Sequence, residues 1–550
     1  MTQHRIAPLT RGVRQWGTLW PDAIWVMLLA VAVASLFYTS PRDGEFWWSD
    51  APRHAMDGAF YMDLLRSQPV GSLKQYTIDY YLQYPALTIL FYPPVFPLVE
   101  ALFFALFGVS HWVAVLTIAA FNFTAALGAY CLCRLWLPPA WAGATALLFL
   151  GLPEVALWGR QVMLETPAFA FLFWSGYLLF RYIGSERAYL LYGTMLVLVC
   201  GIYTKQTVVF ILPVFAAVLL AAKGSAVLRL PALWVSAVFF GLGVLPWAII
   251  TLRFGHVNFN SIAGGAWTAH PVLSWESWLF YLRHLPAQLG WPVLLLAAAG
   301  LVLALARKRW REPAFQFFGL WFAAGYIFFS LIALKEPRHT ILLLFPAAFF
   351  ALQGLRLLPV VKLPGVAAAA VAMLLFGHTL ASSEVPRVKG YREAAMWVAR
   401  NAPANSVVLF SGYRDGSFIF NLRSQTGRSD LTVLRSDKLF LRVTQRRELG
   451  VEELGVTPEQ IRDTLNRYGV RYIVNQPNFW DDLKTMQELQ GVLRGPEFRQ
   501  MATIPVSSNV SHTDRQLQII ENLTASTAAK QQIRLELPII GTHVEGTVGR

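Results

Sequence analysis

Apolar runs of similar length follow one another up to about Leu380, broken by short polar turns. A helix needs about 20 apolar residues to cross the roughly 30 Å hydrocarbon core of a bilayer. The runs near 22–40, 112–134, 139–155, 167–182, 188–203, 206–222, 231–250, 291–306, 314–334, 340–357 and 363–380 predict about eleven transmembrane helices. After Leu380 the pattern becomes that of a soluble domain. Tyr391, Ala394, Ala395 and Val398 recur at helical spacing. Residues 406–410 read as a strand. Thr457-Pro458-Glu459-Gln460 reads as a helix start, with Thr as N-cap, Pro at the first position and Gln at the third. That helix is expected to stop at Gly469, with a strand over 471–474. Residues 533–540 alternate weakly as a final strand, and 522–530 reads as a flexible tail. The expected architecture is a polytopic all-α membrane domain over 1–385 followed by a soluble α/β domain over 386–550.

The segment 93–108 is apolar but carries three prolines and Glu100. Whether it spans decides the side on which every later loop lies. If it does not span, Arg134, then Arg181 and Arg187, then Lys223 and Arg229, then Arg307, Lys308, Arg309 and Arg311, then Arg356 and Lys362 share one side with Arg5, Arg11 and Arg14. Basic loops favour the cytoplasm. The segment is therefore read as a juxtamembrane or re-entrant helix, the N-terminus as cytoplasmic and the C-terminal domain as extracytoplasmic. The first run is read as an uncleaved signal anchor.

This topology gathers the loops 41–92, 156–166, the turn at Lys205, 253–290 and 335–339 on the outer face. Composition fits a membrane chain: 55% hydrophobic and only 14% charged, against about 25% charged in soluble proteins. The net charge of +14 suits cytoplasmic loops against anionic lipid, and no nucleic-acid motif is present. Cys131, Cys133 and Cys200 all fall in apolar runs and read as buried small hydrophobes.

Charges near hydrocarbon are costly, so the polar residues of the outer loops are the candidates for chemistry. Asp50 has two readings, a base that takes a proton from a hydroxyl and a helix N-cap with Ser49. Arg53, His54 and Tyr92 lie in the same loop as supporting groups, with Asp57 and Asp63 read onto a solvated helix face. Glu165 is either a second functional carboxylate or a first-turn residue satisfying a helix N-terminus; Arg160 shares its loop. Lys205 either snorkels to the interface or holds a phosphate. Lys335, Arg338 and His339 offer three cations at one span boundary, and Arg binds phosphate oxygens in a bidentate way. Trp47 and Trp48 fit an interfacial belt or a sugar platform. His256, His270 and His284 lack tight ligand spacing, so a divalent metal is left open.

These residues, in this order, resemble the GT-C fold glycosyltransferases, in particular the bacterial relatives of the protein O-mannosyltransferases. That group includes the aminoarabinose transferase of lipid A and the rhizobial core galacturonosyltransferases. The Asp-Glu pair of the first outer loop is similar to Ser49-Asp50-Ala51-Pro52-Arg53-His54, with Ala51 in place of the second acid and His54 where a Tyr is often found. Tyr92-Pro93-Pro94, Glu165-Thr166-Pro167, Thr204-Lys205 and Arg338-His339 match later motifs, Glu165 standing where Asp is usual. The resemblance implies a transferase taking a sugar from a polyprenyl-phosphate carrier, with inversion, on the outer face of the bacterial inner membrane. Asp50 and Glu165 would be its carboxylates. Lys205 and Arg338 would meet the departing phosphate, with Lys335 and His339 beside them. The acceptor would be a lipid, glycan or protein, with membrane lipids as surroundings. The rival class is a transporter or flippase of lipid-linked saccharides. Against it, the chain shows no pair of similarly interrupted spans in two halves.

Overall fold

The computed structural model describes residues 19–68, 71–255, 271–357, 364–425, 427–443, 450–525 and 531–548, with isolated positions 259, 260, 262, 264 and 447. Arg5, Arg11, Arg14, His256, His270, Lys362 and the tail 526–530 lie outside the described residues.

Every predicted apolar run is helical. Seven described segments are long and apolar enough to cross a membrane: Trp20–Tyr38, His111–Arg134, Gln206–Arg229, Pro231–Phe254, Pro313–Ser330, Pro337–Leu357 and Gly365–Ser382. The pair Trp275–Leu289 and Trp291–Ala306, bent by 116°, would make an eighth as one broken span. The chain is thus a multi-pass membrane protein, but the count of eleven is not confirmed. Pro139–Leu150 has 12 residues and Ala188–Ile202 has 15. At 1.5 Å per residue they reach only about 18 and 23 Å. The helix Val95–Phe107, 13 residues long, covers about 20 Å and packs on the helices Asp50–Ser67 and His111–Arg134.

Local chemistry explains several boundaries. Pro139, Pro153, Pro231 and Pro313 each sit in the first turn of a helix, where the missing N–H is no loss. The bundle interior is aromatic: Phe173 lies 4.4 Å from Phe345, and Phe318 4.4 Å from Phe349, centroid to centroid. The helices Trp291–Ala306 and Leu344–Leu357 meet backbone to backbone. A Cβ on Gly300 would lie 1.9 Å from the Phe350 carbonyl oxygen, and one on Gly354 2.8 Å from that of Leu296. Small residues allow this approach in membranes, where helix packing rests on van der Waals contact.

The switch from helices to strands falls between Ser382 and Val388. The main C-terminal sheet orders its strands Thr432–Arg435, Val407–Ser411, Val470–Asn475, Gln516–Asn522 and Phe498–Pro505. The first three are parallel, and Gln516–Asn522 runs antiparallel to both its neighbours. Alternate residues serve opposite faces. Val408 and Phe410 join the core continuous with the membrane helices, while Val407 and Leu409 join a second core with Ile461, Leu465 and Met486. The helix Tyr391–Asn401 buries all four residues of its predicted face. Thr457 Oγ1 accepts from Gln460 N at 3.3 Å and Gln460 Oε1 accepts from Thr457 N at 2.9 Å, the expected capping box. The strand Gln531–Leu537 is followed by another, Thr542–Val548, paired antiparallel to it, so it is not the final one.

Candidate active site

Asp50 opens the helix Asp50–Ser67, whose N-cap Ser49 makes no side-chain capping bond. The carboxylate turns to a partner far along the chain: Arg338 donates to Asp50 Oδ2 from Nη1 at 3.2 Å and Nη2 at 3.3 Å. Arg338 Nε also donates to Glu336 Oε2 at 2.7 Å, and its guanidinium lies 5.8 Å from the Trp158 ring centroid. Trp48 stands 5.0 Å from Trp158. Arg338 sits at the start of a 3₁₀ turn, Pro337–Leu343, that leads into the helix Leu344–Leu357.

Glu165 begins the helix Glu165–Ser185 and is 2% exposed. Its Oε1 accepts from Lys205 Nζ at 3.0 Å, while its buried Oε2 has no hydrogen-bond partner among the described residues. The helix Glu165–Ser185 packs on the Pro337–Leu343 turn, and Asp50, Glu165, Lys205 and Arg338 all act electrostatically on His54, so the two ion pairs are neighbours. His339 feels Glu336, Lys205, Arg338 and Glu165 and belongs to it. Tyr92 stacks edge-on against His54 with centroids 4.5 Å apart and lies beside Asp50. The segments 41–92, 156–166 and 335–339 and the Lys205 turn thus come together.

The protonation states follow from the surroundings. Burial works to raise the Asp50 carboxyl, but the charges of Arg338 and Arg53, with the hydrogen bonds from Arg338, outweigh it and hold the group below the usual carboxylate range. Burial pushes His54 down to about 4, against the pull of Asp50 and Glu165, so it is neutral near pH 7. Burial, and then Asp50, push the Tyr92 phenol well up, which keeps its proton in place.

Other predicted residues lie elsewhere. Lys335 donates to the carbonyls of Phe329, Ser330 and Ile332 at 3.3, 2.6 and 2.5 Å, closing the C-terminal end of the helix Pro313–Ser330. Burial lowers its ammonium to about 8. Arg160, 2% exposed, donates to the carbonyls of Ala156 at 2.9 Å and Ser383 at 2.8 Å. It ties the 156–166 loop to the start of the C-terminal domain. Arg53 reaches Asp415. Asp57 and Asp63 are not on a solvated face. Asp57 is 1% exposed and accepts from Thr88 N at 2.7 Å and Thr88 Oγ1 at 2.6 Å, and Asp63 pairs with Arg423 at 2.7 Å. Trp47 lies under the Arg414 guanidinium at 4.2 Å, in the contact with the C-terminal domain. His284 bonds the Phe280 carbonyl at 2.8 Å. Among the described residues, no three His, Cys, Asp or Glu side chains converge where they could hold a metal ion.

Sequence reasoning passed over Glu336 and Trp158. Their signal was position: Glu336 sits between Lys335 and Arg338, and Trp158 lies in the 156–166 loop with Arg160 and Glu165.

Residues 92–250 match the family model described as dolichyl-phosphate-mannose-protein mannosyltransferase. Among solved structures, ArnT from Cupriavidus metallidurans bound to undecaprenyl phosphate is similar, with a TM-score of 0.61 and 16% identity, over 92% of this chain and 100% of that one. The archaeal oligosaccharyltransferase AglB from Archaeoglobus fulgidus, in complex with an inhibitory peptide and a dolichol-phosphate, has a TM-score of 0.50 and 11% identity, over 84% of this chain and 70% of that one. No curated protein sequence matches the chain. The fold is the GT-C glycosyltransferase fold, as the motifs implied.

Proposed function

We propose that this GT-C-fold membrane protein is a glycosyltransferase that moves a sugar from a polyprenyl-phosphate carrier to a lipid, glycan or protein hydroxyl at the outer face of the bacterial inner membrane. The observation that carries the reading is that Asp50, Glu165, Lys205 and Arg338 come together from separate segments. The basic bias of the opposite loops supports an extracytoplasmic site, a cytoplasmic N-terminus and a periplasmic C-terminal domain.

In this reading the acceptor oxygen attacks the anomeric carbon, and the bond from that carbon to the phosphate oxygen breaks. The electron pair leaves with the polyprenyl phosphate, and the acceptor proton passes to Asp50. A phosphate leaves already ionised, so the site needs a base more than an acid. Asp50 is ionised near neutral pH and a quarter exposed, so a hydroxyl can reach it. Lys205 uses one of its three donors on Glu165; the others suit phosphate oxygens, as does the Arg338 guanidinium. Glu165 Oε2, without a partner among the described residues, can accept from a sugar hydroxyl.

Mass spectrometry of envelope glycolipids and glycoproteins, from cells with and without this protein, tests the reading. A sugar-bearing species should disappear without it. Identical glycolipid and glycoprotein profiles would overturn it.

A further inference from the structure

In open α/β sheets the crevice beyond the carboxyl ends of parallel strands is the usual ligand site. Here that edge grips the membrane domain. Immediately after the strand Val407–Ser411, Arg414 Nη1 donates to the Trp47 carbonyl. Ser417 Oγ donates to the Phe46 carbonyl at 3.5 Å, and Asn421 Nδ2 to that of Gly44 at 3.1 Å. The strongest link is Asp415. It accepts from Arg53 Nη2 at 3.0 and 2.9 Å on its two oxygens and pairs with Arg435 at 2.7 Å. Asp415 is 9% exposed and Arg53 18%, so little water screens the pair.

Arg53 stands one turn after Asp50, and its Nη1 donates to the Ser49 carbonyl at 2.6 Å. The turn bearing Asp50 lacks a side-chain cap at Ser49, so its position rests on such tertiary links. Resting on the transferase reading above, we propose that Asp415 is a positioning residue: by fixing Arg53, it sets the first turn of the Asp50–Ser67 helix so that Asp50 meets Arg338 and the acceptor. The C-terminal domain is thereby part of the working site rather than an appended module.

A second ion pair across the same contact supplies the control. Asp63 pairs with Arg423, 13 residues and thus about 20 Å along the helix from Asp50. Two readouts are taken on full-length protein in nanodiscs: hydrogen exchange over residues 46–56, and kcat and KM for transfer from a polyprenyl-phosphate sugar. Asp415→Asn should speed exchange over 46–56 and lower kcat roughly tenfold to a hundredfold, with donor KM near wild type, since misplacing a reacting group by 1 Å costs on that order. Asp63→Asn should leave both readouts unchanged. Arg53→Gln with Asp415→Asn should be no worse than Arg53→Gln alone. Unchanged exchange and kcat in Asp415→Asn would overturn the proposal, as would an equal loss in Asp63→Asn, which would mark general domain docking. If the wild type transfers no sugar, the transferase reading fails, and exchange alone decides whether Asp415 holds this turn.

Discussion

Arg338 and Asp50 lie 288 residues apart in the chain, yet both Nη atoms of the arginine reach the same carboxylate oxygen, at 3.2 and 3.3 Å. In the proposed reaction the base must be ionised, and the Arg338 charge favours that state of Asp50.

Asp50→Asn tests that role. Asn keeps the volume and caps a helix about as well as Asp, but takes no proton. Turnover from a polyprenyl-phosphate sugar, at equal folded protein, should fall by about 10²–10⁴. Near-wild-type turnover would leave Asp50 as a structural partner of Arg338.

Lys205→Ala should weaken donor binding by about tenfold to a hundredfold, the worth of a charge-assisted bond of roughly 1.5–3 kcal/mol. It also strands Glu165, 2% exposed, as a buried unpaired carboxylate, which costs stability. Adding Glu165→Gln should restore the unfolding midpoint but not donor affinity. Recovery of both would make the pair purely structural.

Arg338→Ala removes the Asp50 partner as well as a phosphate contact. It should lower donor affinity on the same order and also raise the apparent pKa of the acid limb of kcat, because the charge that lowers Asp50 is gone. An unmoved acid limb would detach Arg338 from the base.

Asp57 carries a pH signature. Burial raises its carboxyl from 3.8 to about 7, against the two bonds from Thr88. Between those pH values the unfolded chain has released the proton and the folded chain keeps it, so stability from this group falls as pH rises. In detergent, the wild-type unfolding midpoint should drop relative to that of Asp57→Asn between about pH 5 and 7. Parallel curves would show that Asp57 ionises normally.

Orientation has a direct test. A reporter active only outside the cytoplasm should be active when fused after Leu380 and inactive when fused after Arg309. The reverse pattern would mean that Val95–Phe107 spans and that the proposed orientation is wrong.

What the chain itself determined was local or periodic. Apolar runs must be helical in lipid because every backbone group needs an internal partner, and each predicted run is a helix. Thr457 and Gln460 cap one another across three residues, a geometry that sequence spacing alone implies. The tertiary structure decided which polar groups meet. Lys335 and Arg338 are three residues apart, yet one closes a helix end and the other holds Asp50. Asp57 and Asp63 share a helix, yet one is buried on Thr88 and the other pairs across a domain contact. Arg53 meets Asp415 only because the edge of a sheet more than 350 residues later packs on its turn. A side chain's partner depends on how loops and domains pack, and that packing is set by surfaces far apart in the chain, not by local spacing.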